Sequence, residues 1–85
     1  MPVVSRFFGI VVSLNYRDHN PPHFHASYGD DEVVIEIQSG AVTGEMSGKA
    51  LQMLQEWRMQ HLGALLENWE RARNHLPLNQ IPPLT

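Results

Sequence analysis

From Ile10 to Tyr16 the chain alternates, with Ile10, Val12, Leu14 and Tyr16 on one side and Val11, Ser13 and Asn15 on the other. A period of two over this length predicts a strand with one buried face. The preceding "VVSRFF" reads as a further short strand or an extension of the same one, with Gly9 marking a turn or bulge between them. At "RDHNPP" the pattern breaks, because prolines cannot donate to a ladder and hold the residue before them extended. "HFHASY" and "EVVIEIQ" then flank "GDD" as a hairpin.

The register of that hairpin follows from burial. Phe24, Ala26 and Tyr28 share one face of the first strand, and Val33, Ile35 and Ile37 share one face of the second. Burying both sets together requires odd-numbered residues of one strand to face even-numbered residues of the other. A two-residue Gly29–Asp30 loop does this by pairing Tyr28 with Asp31, which sets His23 across from Glu36 and His25 across from Val34. A four-residue loop keeps the same faces with shifted partners. Both strand histidines therefore belong on the less apolar face.

Beyond residue 46 the period changes to that of a helix. Ser47 is a candidate N-cap, followed by Ala50, Leu51, Leu54, Trp57 and His61 at helical spacing. A second stripe runs through Leu65, Leu66, Trp69, Ala72 and Leu76, and Gly63 is the expected break between the two helices. Glu67 and Arg71 stand four apart, in the order that favours an ion pair. "PLNQIPPLT" is too rich in proline to continue the helix and is expected to run extended over the surface. The whole predicts one α+β domain, residues 1–85. Residues 1–45 form a small antiparallel sheet of three to four strands, 46–76 hold two helices packed on one face, and 77–85 are an extended tail.

Composition narrows the chemistry. An 85-residue chain is near the size where one core just suffices, so a partner, a metal or efficient packing is needed. The absence of cysteine excludes disulfides and thiolate metal sites, and fits a cytoplasmic location. The net charge is −3, and one lysine and five arginines are scattered, so extensive non-specific nucleic-acid binding is not expected. "MPVVSRFFGIVV" has neither a leading basic segment nor a long apolar run, so no signal peptide or membrane span is expected.

Three of the five histidines fall within seven residues: His19, His23 and His25. Two residues apart on a strand, His23 and His25 point the same way and can converge on one ion. His19 is the candidate third ligand, with Asp18 or Glu36 as an oxygen donor, and zinc is the expected divalent metal. Without metal, His23, His25 and Glu36 are candidates for acid–base catalysis. The competing reading is a rigid Asx–Pro–Pro turn whose histidines bond backbone carbonyls. Arg6 and Arg17 are candidate anion contacts, or simply solvated side chains. Trp57 and Trp69 lie on core stripes, His61 and His75 read as helix-end residues, and only one of Phe7 and Phe8 can face a flat core.

"SRFFGIVV", "DHNPPHFHASYGDDEVVIEI" and "LLENWERAR" together resemble the small bacterial family known as domain of unknown function 4160. Pro21, Pro22, His23, Phe24 and His25 carry its most specific signature, and Glu67 to Trp69 its second. The resemblance implies a member of a two-gene, toxin–antitoxin-like cassette, and carries over no catalytic residues. The leading expectation is a protein-binding component whose partner is a co-encoded small protein, with a homo-oligomer as a further way of covering the open face. The alternative is a His-dependent hydrolase or ribonuclease-like toxin, metal-dependent or not.

Overall fold

A computed structural model describes residues 2–85. Five strands, β1 (Val3–Phe7), β2 (Ile10–Ser13), β3 (His23–Tyr28), β4 (Asp31–Glu36) and β5 (Val42–Glu45), precede helices α1 (Gly48–Gln60) and α2 (Leu62–Arg73). The strands form one antiparallel meander in chain order. The α+β class and the strands-then-helices order are as the patterning predicts, but the sheet has one strand more than expected. All four residues of β5 are exposed, so it lacks the alternation that reveals a half-buried strand.

Between β3 and β4 the register is the one burial demands: His23 opposite Glu36, His25 opposite Val34 and Tyr28 opposite Asp31. In β1, Val3 pairs with Ser13 and Ser5 with Val12, leaving Val4 as an extra residue. This bulge buries both Val4 and Ser5. At the far edge Gly44 adopts φ +102°, and a Cβ there would lie 2.5 Å from the Glu32 carbonyl oxygen. Only glycine lets β5 approach β4 so closely.

The even-numbered faces of β2 and β3 and the odd-numbered face of β4 meet the helices. Trp57 is fully buried at the centre, its ring 5.4 Å from Phe7 and 5.8 Å, edge-on, from Phe24. Ser47 caps α1 by accepting from the Ala50 N–H at 3.2 Å. The helices are separated by His61 alone, and Gly63 lies within the first turn of α2 rather than at the break. His61 packs its ring 5.6 Å from Trp57 and makes no side-chain cap bond.

The tail forms neither helix nor strand, and two of its residues enter the core. Ile81 and Leu84 are buried, and the Ile81 N–H donates to the Val4 carbonyl at 2.8 Å, along the free side of β1. Trp57 Nε1–H donates to the Pro82 carbonyl at 2.9 Å. Glu67 and Arg71 bond this tail rather than each other: Glu67 accepts from Asn79 Nδ2 and Arg71 Nε–H donates to the Pro77 carbonyl. No helix is long and apolar enough to cross a membrane among the described residues.

Candidate functional site

The loop from Leu14 to Pro22 leaves the end of β2 and delivers its residues to the start of β3. It contains a cis peptide bond at Asn20–Pro21, and it places Asp18 against the two histidines of β3. Asp18 Oδ2 lies 2.8 Å from His25 Nε2 and 3.0 Å from His23 Nε2. Alternation along β3 points His25 to the face away from the helices, while His23, the first residue of the strand, sets its ring against Trp69 of α2. One carboxylate oxygen therefore serves two rings. Burial opposes charge on Asp18, but the hydrogen bond from His25 and the charges of His23 and His25 outweigh it, holding the carboxyl below its usual range.

Each ring has a second anchor. His23 Nδ1–H donates to the Pro21 carbonyl at 2.8 Å, the backbone bond expected of a histidine beside a rigid turn. Its ring also packs, tilted at 52°, 5.2 Å from that of Trp69 of α2. His25 Nε2 lies 3.2 Å from Asn15 Nδ2, the last polar residue of the alternating run through β2. The two rings are 5.3 Å apart. His23 is the more enclosed, with 12 % of its side chain exposed against 28 % for His25. The site is thus walled on the His23 side and open on the His25 side.

The open side leads onto the uncovered face of the sheet. A groove of about 430 Å³ runs there over Val11, Ser13, Ser27, Val34 and Thr43, with Asn15 and His25 among its lining. Glu32 is its one carboxylate, and neither lysine nor arginine lines it.

Of the residues singled out in the sequence, Asp18, His23 and His25 come together and the others do not. His19 is exposed, its ring 6.4 Å from His23, and its nitrogens are not among the three converging ligand atoms. Glu36 pairs with His23 in backbone register, but its carboxylate accepts from Ser39 Oγ at 3.1 Å. Arg6 is exposed beside the tail and Arg17 is exposed in the loop. Asn15 is the residue at the site that patterning misses, because it reads only as the polar side of a strand.

The "ENW" stretch has a structural role that ends at the site. Glu67 and Asn68 hold the tail, and Trp69 backs His23. A family model described as Domain of unknown function (DUF4160) matches residues 9–70, a span that contains Asn15, Asp18, His23, His25 and Trp69. No curated protein and no solved structure is similar enough to this chain to match.

Proposed function

The chain belongs to the family described as Domain of unknown function (DUF4160), and from that premise we propose that it is a hydrolase whose reacting centre is Asp18, His23 and His25. One observation carries the reading: two imidazole nitrogens converge on a single carboxylate oxygen at the mouth of an open groove. Hydrolysis needs one group to take a proton from water and another to return one to the leaving group. Asp18 orients both imidazoles for this, and the more exposed His25 faces the groove. In the overall step water oxygen bonds to the carbonyl carbon, the carbon–leaving-group bond breaks, and the leaving atom receives a proton.

The groove supports an uncharged ester or amide as substrate. Its floor is valine, serine and threonine, and it offers no cation along which a phosphate backbone would lie. Support for the ribonuclease-like variant is correspondingly weak. The test is hydrolysis of a series of p-nitrophenyl esters and short neutral peptides, beside an RNA oligomer. His25→Ala is expected to abolish turnover of the ester or peptide, while His75→Ala, an exposed histidine outside the site, leaves it unchanged. Turnover that is equal in the two variants, or confined to RNA, would overturn the reading.

A second reading, a binding module for a co-encoded small protein, draws support from the same uncovered sheet face and from Phe8, 63 % exposed at the β1–β2 turn. Co-expression with the neighbouring gene product, followed by size-exclusion chromatography, tests it. A chain that elutes alone would count against it.

A further inference from the structure

We infer that Asp18 Oδ2, His23 Nε2 and His25 Nε2 are the ligands of a single divalent transition-metal ion. The inference rests on the hydrolase reading only for the ion's role, since the binding itself follows from the convergence of the three ligand atoms. The Pro21 carbonyl can only accept, so His23 Nδ1 carries the hydrogen of the 2.8 Å bond between them. In the neutral ring this leaves a lone pair on Nε2. That lone pair faces an oxygen of Asp18 3.0 Å away, and a carboxylate is also acceptor-only. At that distance the contact is met either by a proton on Nε2, in an imidazolium that donates to the carboxylate, or by a metal ion between the two atoms.

The second ring repeats the situation. His25 Nε2 lies 3.2 Å from Asn15 Nδ2 and 2.8 Å from the same carboxylate oxygen; in the tautomer that accepts from Asn15 this nitrogen too presents a lone pair to Asp18. In the metal-free protein a proton on each ring nitrogen answers one contact apiece. A metal ion at the centre of the three atoms answers both. The three atoms lie within 4.8 Å of one another. Ligands held about 2.0–2.2 Å from zinc at tetrahedral angles are separated by about 3.3–3.5 Å, so the two short contacts need to open by only about half an ångström.

The surroundings are those of a metal site. A ligating histidine ordinarily donates its other ring N–H to a carbonyl or carboxylate, which fixes the tautomer and aims the ligand nitrogen. Pro21 supplies that carbonyl to His23, and Trp69 behind the ring holds its plane. Two imidazoles and one carboxylate suit zinc, iron(II), manganese or cobalt. They suit neither calcium nor magnesium, which prefer all-oxygen shells, nor copper(I), which prefers sulfur. Three protein ligands with one side open leave room for water, whose proton such an ion renders labile near neutral pH. Asn15 is placed to donate to an oxygen bound there.

The experiment is calorimetric titration of the chelator-stripped full chain with zinc chloride at neutral pH, with tryptophan emission followed in parallel. We expect one ion per chain and an emission change that disappears in Trp69→Phe, because His23 packs on that indole. Asp18→Ala and His25→Ala should each weaken binding by at least about tenfold, and His75→Ala should not. His25 is not packed on Trp69, so its variant keeps the test valid where His23→Ala unfolds. The absence of saturable binding, or binding undiminished in both Asp18→Ala and His25→Ala, overturns the inference. Hydrolysis that needs His25 but survives chelation would overturn the metal and leave the hydrolase. Stoichiometric binding without turnover would do the reverse.

Discussion

The His23 ring centroid lies 5.2 Å from that of Trp69, with the planes inclined at 52°, so one residue of the reacting cluster is also a packing contact between β3 and α2. His25, two residues on, faces the groove instead. The two histidines should therefore separate on mutation. His23→Ala is expected to cost about 1–2 kcal/mol of stability through the lost aromatic contact. His25→Ala should cost less, about 0.5–1 kcal/mol, because it loses only the part-exposed hydrogen bond to Asp18. Urea denaturation of both variants checks this, and equal midpoints would contradict the placement of His23 against the indole.

Asp18 gives the metal-free protein a pH dependence whose sign is fixed. Its carboxyl titrates below the ordinary value in the folded chain, against the cost of burial, because of the bond from His25 and the charges of both rings. A carboxyl depressed on folding stabilises the protein above its unfolded value, about 3.9, and that contribution vanishes as pH falls through the lower folded value. Between about pH 5 and pH 2 the wild-type midpoint in urea should fall more steeply than that of Asp18→Asn, and the two should meet at the acid end. Parallel curves over that range would show that Asp18 has no such coupling to the rings.

Much of this geometry was legible in the chain, and what was hidden shares a cause. The β3–β4 register followed from alternation and turn length, both local, and it aimed His25 onto the open face, whereas His23, at the start of the strand, packs against Trp69 of α2 instead. The choice of carboxylate was not local. Glu36 stands opposite His23 by register, but Asp18 arrives through an irregular loop whose path no periodicity encodes. The tail was hidden in the same way: its contacts with Val4, Trp57 and Asn68 depend on chain packing, not on the proline-rich segment itself. Nor does any periodicity mark Arg58, which is buried, with the Ile37 carbonyl at 2.7 Å and Gln55 Oε1 at 2.8 Å as acceptors.

Asn68 forms a two-bond pairing with the tail backbone. Its Nδ2 donates to the Asn79 carbonyl at 2.9 Å and its Oδ1 accepts from the Asn79 N–H at 2.8 Å, with the side chain fully buried. Asn68→Ala removes both bonds and leaves the Asn79 N–H and carbonyl without this partner, and should destabilise the fold by about 2–3 kcal/mol. It should also expose the tail to protease before the sheet is cut. A tail equally resistant in wild type and Asn68→Ala would mean that Ile81 and Leu84 alone hold it.

The loop after β4 is fastened to α1 by a contact that admits only glycine. Gly40 has φ +79°, and a Cβ there would lie 2.7 Å from Arg58 Nη2 and 2.9 Å from its Cζ. Gly40→Ala thus carries two costs: a backbone term of about 1 kcal/mol at positive φ, and displacement of a buried guanidinium from its carbonyl acceptors, about 1–3 kcal/mol more. Only the second depends on Arg58. In an Arg58→Ala background Gly40→Ala should therefore cost about 1 kcal/mol, with a coupling energy of at least about 1 kcal/mol between the positions. Equilibrium unfolding of the four proteins of this cycle measures the coupling directly. Additivity within about 0.5 kcal/mol would show that the guanidinium moves aside freely, and that Gly40 is required only for its backbone angle.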